Sequence, residues 1–515
     1  MKNIVGRDIK NIAKVAFATV GSRVLGLIRD SFTMAYMSIG AVSAAYTFAF
    51  TLPNLFRRLL GEGALTSAMI PIFTQTLKQD GEQTAFSFLN KVFTRGAILM
   101  LGISLLGMLI AFVASICLEG EQQRFVLSAN FSIVLMPYLT LICLAAVFTA
   151  ALNVLGSFGV PSITPAIHNA TIIGGLFFGV FFFGAKDTVA IAYCMCVAWL
   201  VGGAFQLGLP AYWLYRQGWR YSFDLRPSKS LAELYALFVP ALLGAAVYQL
   251  NVFVSKMLAL FIDNSALPSL YLSSRIIEFP LGVFTLAIAT VYFPKLAKMA
   301  TGESGTDFLR EYTNGFIMTM CIAIPATFGI IATAPDIISL LFQWGLFNSA
   351  DSNICVPVLI ASSCGLPFFA LSTFATRGFH SHKDTRTPVR ISYWSFGANI
   401  VLSIALMVPF GAVGLALANV LATMLFAVML ELRISKMRGR LNEWGEVVKI
   451  VLSGALMAII VWALRMCLAD YIDGKALAII VCAGLIPTGI LIYIILLKIL
   501  KFRRLENLKK MILRK

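Results

Sequence analysis

Eight charged side chains interrupt stretches that are otherwise apolar enough to lie in lipid. Arg23, Arg29 and Asp30 fall within 8–38, Arg57, Arg58 and Glu62 within 41–72, and Arg275 and Glu278 within 267–294. A charge at the centre of a bilayer costs about 2.5–3.5 kcal/mol on insertion scales. Such groups therefore face a protein interior or a water-filled cavity. Arginines outnumber acids among them, so the excess calls for an anion. Arginine's planar fork matches phosphate oxygens two at a time, and it cannot shed its proton to escape burial.

The competing reading makes each arginine a snorkelling helix-end residue or the partner of a nearby acid. Arg29, beside Asp30, and Arg58, beside Arg57, suit either reading. Lys256 and Arg465, near outer ends, suit the second better. Arg23, Arg57 and Arg275 resist it, being flanked by apolar or small residues. Arg23 and Arg29 are separated by about 600° of rotation at about 100° per residue, so a straight helix puts them on different faces. Gly21 and Gly26 suggest a bend or an unwound turn there, a usual way to build a mid-membrane site.

Other polar groups carry weaker chemistry. His168-Asn169 could bind a ligand, although a lone histidine among apolar residues reads more naturally as a hydrogen-bonded core group. His380-Ser381-His382 lacks a third metal ligand. Asn399 and the pair Gln249/Asn251 read as helix–helix glue, with a cation site as the lesser option. There is no Gly-x4-Gly-Lys-Ser/Thr loop for nucleotide phosphates. No nucleophile–base pair or metal cluster is visible, so the sequence implies no enzyme, no cofactor and no metal. The nine cysteines lie in or beside apolar stretches and read as small hydrophobes.

The elements that must hold these charges are helices. The 515 residues are 59% hydrophobic and 13% charged, against about 45–50% and about 25% in soluble domains. That excludes a soluble enzyme and a disulfide-rich secreted module. The net charge of +17 reads as membrane topology rather than nucleic-acid binding. About fourteen segments suit spanning helices: 8–38, 41–72, 92–117, 128–153, 162–184, 188–215, 232–262, 267–294, 312–336, 353–376, 390–410, 412–432, 447–468 and 476–497. With both termini cytoplasmic, 31 of the 41 Lys/Arg fall on the inside and three (Arg124, Lys186, Lys475) on the outside. A wrong count would scramble that asymmetry.

The chain also repeats. Pro71 and Pro294 end spans two and eight, and Pro165 and Pro388 open spans five and eleven; each pair is 223 residues apart. The expected fold is therefore an all-α polytopic membrane protein. It has two six-helix lobes in parallel repeat, 1–222 and 223–445, and two further helices with a basic tail over 446–515. Parallel repeats are a transporter architecture. In the last two helices Ile459, Ile460, Ile486, Ile490, Ile492 and Ile495 suit lipid, and Gly454, Gly484 and Gly489 suit close helix approach.

Several of these stretches resemble the MurJ (MviN) family of bacterial lipid II flippases, within the MOP superfamily. They are Ser22-Arg23-Val24-Leu25-Gly26-Leu27-Ile28-Arg29-Asp30, Leu52-Pro53-Asn54-Leu55-Phe56-Arg57-Arg58 with Gly61-Glu62-Gly63-Ala64, and Ser274-Arg275-Ile276-Ile277-Glu278-Phe279-Pro280-Leu281-Gly282. Leu341-Phe342-Gln343-Trp344-Gly345 and 378–388 add to them. The resemblance implies two six-helix lobes in a V, plus two helices whose groove takes a polyprenyl tail. It implies a multi-pass protein of the bacterial cytoplasmic (inner) membrane. Such a protein moves undecaprenyl-pyrophosphate-disaccharide-pentapeptide from the inner to the outer leaflet for peptidoglycan synthesis. It makes Arg23, Arg29, Arg57 and Arg275 the substrate-binding residues, supported by Asp30, Arg58, Glu62 and Glu278. Its implied partners are lipid II, membrane lipid and the cell-wall synthesis machinery, with no nucleic acid. Two departures stand out. Ser43-Ala44-Ala45 replaces an acid found early in span two of many members, and Asn399 is followed by Ser403 rather than by the Asp of a sodium site. Two other classes share the architecture: a multidrug or cation antiporter, whose site should be acid-rich, and an exporter of another polyprenyl-linked oligosaccharide.

Overall fold

Proline, glycine and charge decide where the apolar helices of this chain break. The computed structural model describes residues 2–120, 122–282, 286–300, 305–438, 443–472 and 474–505; side chains are described from residue 18 onward within these, except 60–62, 243–245, 248, 286–287, 289–290, 305–306 and 437–438. Every regular element among the described residues is helical. Nine helical stretches among them are long and apolar enough to cross a membrane. The helices that carry the embedded charges of 8–38, 41–72 and 267–294 are not among those nine, because charge and helix breaks lower their apolar run.

The chain packs as two units, residues 1–267 and 268–515. In the first, α1 (Lys2–Met37) is followed by the short α2 (Ala41–Ala49) and α3 (Thr51–Phe56), a π-helical segment over Arg57–Ala64, and α4 (Leu65–Gln79). Then come α5 (Gly81–Cys117), α6 (Gln123–Val154), α7 (Gly159–Phe183), α8 (Thr188–Arg216) and α9 (Lys229–Ile262). Helix α6 is the centre of this unit: it packs on α2, α4, α5 and α8, and its Phe131, Leu135, Leu139 and Leu152 are fully enclosed. Helix α9 lies against α2 to α5 and the π segment. The repeat leads one to expect α9 to open the second copy, yet its packing is within the first unit.

The second unit contains most of α10 (Ala266–Pro280), then α11 (Leu286–Ala300), α12 (Gly305–Phe342), α13 (Ser349–Ser363), α14 (Leu366–Ser381) and α15 (Arg386–Arg438). It ends with α16 (Trp444–Ala469), α17 (Gly474–Ile480), a π segment over Val481–Leu485 and α18 (Ile486–Ile499). Helix α15 is two arms joined at Gly411, whose φ of 55° and ψ of −131° stop the helix. Ser395 Oγ donates to the Ala422 carbonyl at 2.8 Å, so the arms fold back on each other. The break falls between the expected spans 390–410 and 412–432.

The 223-residue offset recurs in the backbone. It carries the π segment Arg57–Ala64 onto 280–287, where residues 281–282 are π-helical. It also brings α4 within two residues of α11, each 15 residues long with a proline inside, Pro71 and Pro294.

The last two spanning segments dock on α12 through the cluster of Met320, Ile324, Met457, Val461, Val481 and Leu497. Gly454 and Gly489 do permit close approach: a β-carbon there would meet Phe328 and Val461 at 3.0 Å. Gly484 does not, because it faces open space. The outer faces of these helices leave Ile459, Ile490 and Ile495 exposed, whereas Ile492 packs against the core. Their membrane-end loops are tied by ions. Arg504 holds Glu443 in a bidentate pair and donates to Asn314 at 2.9 Å, while Lys449 bridges Glu446 at 2.7 Å and the Lys501 carbonyl at 3.2 Å. The Arg504 hydrogen bond holds the Glu443 carboxyl below the ordinary glutamate range.

Candidate functional site: arginines in the first and second units

Helix α1 runs unbroken through Gly21 and Gly26, so no turn is unwound there. Gly26 serves instead for close packing, its α-carbon facing the Asn169 amide of α7. With the helix intact, Arg23 and Arg29 diverge. Arg23 is exposed among the exposed Val20 and Val24, and Arg29 is buried.

Arg29 is the best-anchored charge of the set. Its Nε and Nη2 donate to Asp30 Oδ1 at 3.0 and 2.6 Å, and its Nη1 donates to Asn169 Oδ1 at 3.0 Å. Asn169 Nδ2 returns a bond to the Ser22 carbonyl at 3.1 Å, pinning α7 to α1. The guanidinium lies 5.9 Å from the Trp199 ring centroid, and Trp199 is held by an Nε1 bond to Tyr46 Oη at 2.6 Å. Both members of the pair are buried, Arg29 at 7% exposure and Asp30 at 3%. Arg29 is therefore ion-paired in this state.

Arg57 opens the π segment. Its Nε donates to Asn54 Oδ1 at 3.2 Å, one helical turn back, and both it and Arg58 are half-buried. A π-helical turn widens the spacing of successive side chains, and such turns occur frequently at functional sites. Trp199, which the Arg29 guanidinium faces, also meets the His168 ring edge-on at 4.8 Å. Arg23, Arg29 and Arg57 all lie in the first unit. The Glu62 side chain lies outside the described residues.

In the second unit Arg275 is propped by its own helix. Its Nε and Nη2 donate to Tyr271 Oη at 3.0 and 2.9 Å, four residues back, and its Nη1 pairs with Glu278 Oε2 at 3.2 Å, three residues on. Tyr271 is buried, whereas the Arg275 and Glu278 side chains keep 32% and 48% of their exposure. Arg275 is thus oriented but still reachable. Sequence reading missed Asn54, Asn169 and Tyr271 as props, although the i−3 and i−4 spacings of Asn54 and Tyr271 were there to be read.

His168 is a core residue but not a hydrogen-bonded one. Its ring stacks on Tyr138 at 5.1 Å and meets Trp199 edge-on at 4.8 Å, and neither ring nitrogen has a partner among the described residues. His382 Nδ1 donates to the Gly378 carbonyl at 3.0 Å, and His380 is exposed. Asn399 accepts from Ser403 Oγ at 3.3 Å within one helix. The described residues hold no group of three or more His, Cys, Asp or Glu placed for a metal. Lys256 turns inward and donates to Thr51 Oγ1 at 3.3 Å, and Arg465 pairs with the buried Asp336.

The helical fold is shared with transporters of the MOP superfamily. The fold matches an inward-facing multidrug-resistance MATE transporter of that superfamily with a TM-score of 0.66 at 14% identity, over 83% of this chain and 98% of that one. The sequence model of the family "Lipid II flippase MurJ" matches residues 34–482, and the chain belongs to that family. A relative from Vibrio cholerae serotype O1, named "Probable lipid II flippase MurJ", is 30% identical over 98% of each chain. A solved structure titled "Lipid II flippase MurJ, inward closed conformation" superposes with a TM-score of 0.77 at 25% identity, covering 94% of this chain and 98% of that one.

Proposed function

We propose that this protein is a lipid II flippase of the bacterial inner membrane. It moves the undecaprenyl-pyrophosphate-linked disaccharide-pentapeptide from the inner to the outer leaflet by alternating access. The observation that carries the reading is the set of arginines in lipid-spanning segments, within a chain of this family. A pyrophosphate cannot cross hydrocarbon with its charge bare. Arg23, Arg29, Arg57 and Arg275, supported by Asp30, Arg58, Glu62 and Glu278, replace its water and counterions with guanidinium forks. The polyprenyl tail stays in the bilayer while the headgroup passes. Of the four, Arg57 and Arg275 are each held by a side chain one turn back while part of their surface stays accessible. Arg29 has to exchange Asp30 or Asn169 for phosphate, whereas Arg23 is already exposed.

An outward-moving anion is favoured by an inside-negative membrane potential, by about 2.3 kcal/mol per charge per 100 mV. The exposed faces of α16 and α18, with Ile459, Ile490 and Ile495, suit the polyprenyl chain. An antiporter of cationic drugs is disfavoured, because arginines at the site would repel its substrate. Depletion of the protein in its host should block the appearance of lipid II in the outer leaflet while inner-leaflet lipid II accumulates. An unchanged distribution would sink the reading.

The charge asymmetry of the loops supports cytoplasmic termini, a cytoplasmic 377–390 loop and an external Glu119–Arg124 turn. In a background cleared of reactive cysteines, a cysteine at position 119 should label from outside in intact cells. One at Lys436 should label only after permeabilisation. External labelling at 436 would overturn both count and orientation.

A further inference from the structure

We infer that the strap joining α8 to α9 is a binding surface for anionic phospholipid headgroups. Residues 219–228 have no regular secondary structure, yet they are firmly held along the first part of α5. Asn90 Nδ2 donates to the Arg220 carbonyl at 2.9 Å and Asn90 Oδ1 accepts from Trp219 Nε1 at 2.8 Å. Arg95 Nη2 donates to the Leu225 carbonyl at 2.6 Å, and Lys91 faces Asp224 at 3.8 Å.

That anchorage sets the depth of the strap. Helix α5 has 37 residues, or about 55 Å, well beyond a hydrocarbon core of about 30 Å. Its exposed apolar band begins at Ile98 and runs to Ile116. Arg95 is one turn before the band, so the Leu225 carbonyl it holds lies at the edge of the hydrocarbon, where headgroups begin. The last turn of α8 adds the exposed Tyr212 and Tyr215 at the same end, the amphipathic rings typical of a membrane interface.

At that level the strap presents two chemistries together. Tyr221, Phe223 and Leu225 are exposed at 51%, 66% and 44%, which is unfavourable in water and suits the acyl–headgroup boundary. Between and beside them stand Arg220, Arg226 and Lys229, all exposed. The Arg226 guanidinium meets no acceptor among the described residues, and Arg220, which lies over the Tyr215 ring at 3.8 Å, hydrogen-bonds through Nη1 alone, to the Tyr215 and Trp219 carbonyls at 2.7 and 2.9 Å. The strap's own acid, Asp224, is turned to Lys91 and to the Arg226 amide. Free guanidinium donors beside apolar side chains at headgroup depth complement a phosphodiester carrying net negative charge. The inference requires neither a particular leaflet nor the flippase reading.

The test is lipid titration of the purified full-length protein by native mass spectrometry, with phosphatidylglycerol and phosphatidylcholine of identical chains. Wild type should retain phosphatidylglycerol preferentially. The double variant Arg220→Gln/Arg226→Gln should weaken phosphatidylglycerol about 25-fold, at roughly fivefold per basic residue, and leave phosphatidylcholine nearly unchanged. Arg220→Lys/Arg226→Lys should keep the preference, and Phe223→Ser should weaken both lipids alike. The inference is overturned if wild type has no preference, which makes the strap an ordinary lipid contact. It is also overturned if the glutamine variant keeps the preference, which places selectivity elsewhere, or if the lysine variant loses it, which makes the effect one of folding.

Discussion

Arg57→Ala and Arg275→Ala are each expected to insert and accumulate at wild-type level while lowering lipid II translocation by roughly 10–100-fold, the value of a lost hydrogen bond to a charged group. Arg57 is half-buried and takes a neutral prop from Asn54, and Arg275 keeps about a third of its side chain exposed. Both side chains keep part of their surface exposed, so stability should change little. Lysine should rescue poorly, since an ammonium is a point charge that cannot span two phosphate oxygens. Tyr271→Phe gives an intermediate case: the charge remains, but the two bonds that orient Arg275 are lost. Arg29→Ala should differ in kind, lowering accumulation as well as transport, because Asp30 and Asn169 are built around it. The measurement is the rate of lipid II arrival at the outer leaflet, normalised to protein in the membrane. Wild-type rates for both Arg57→Ala and Arg275→Ala would remove the arginines from the phosphate-binding role.

Arg465→Ala is expected to be among the most destabilising single changes in the chain. From its place near a span end the residue reads as a snorkelling arginine whose loss is mild. The structure gives it a buried partner instead: Asp336 on α12 is 3% exposed and its Oδ2 accepts from Arg465 Nε. Removing one member of a buried pair strands the other and costs about 3–5 kcal/mol. The pair joins α16 to α12, so the loss falls on the docking of the last two helices. Thermal unfolding of the detergent-solubilised protein should show a clear fall in Tm for Arg465→Ala. The double variant Arg465→Met/Asp336→Leu should recover most of it, because two apolar groups of similar size strand no charge. An unchanged Tm for Arg465→Ala would mean that water reaches Asp336. Transport by this variant therefore has to be compared at equal protein level before Arg465 serves as a control for Arg57 and Arg275.

How far composition and pattern reached is plain from particular elements. Apolar run length determined that the chain is helical and membrane-spanning, because lipid satisfies no backbone hydrogen bonds and helices close their own. The break at Gly411 was legible, since a glycine at the joint of two apolar runs can take the positive φ that other residues resist. The 223-residue offset was legible from two pairs of prolines, and the π-helical segments at 57–64 and 281–282 obey it. The arginines were legible as unusual because their cost in lipid does not depend on knowing what surrounds them.

Tertiary structure alone decided what each charge does. Gly21 and Gly26 permitted an unwound turn in α1, but Gly26 is used for packing against Asn169, and the helix stays continuous. Along that continuous helix Arg23 is exposed and Arg29 is buried in its pair with Asp30. His168 was read as hydrogen-bonded, and only the stacking of Tyr138 and Trp199 around it leaves both nitrogens without partners among the described residues. Arg465 and Asp336 are 129 residues apart. Periodicity is local, and a side chain's partner across that distance is set by which helices dock. The sequence by itself determined that arginines must be sheltered within the membrane. Which of them are paired and which remain reachable was decided by helix packing, because the energy of a buried charge depends on the few ångströms to its nearest partner.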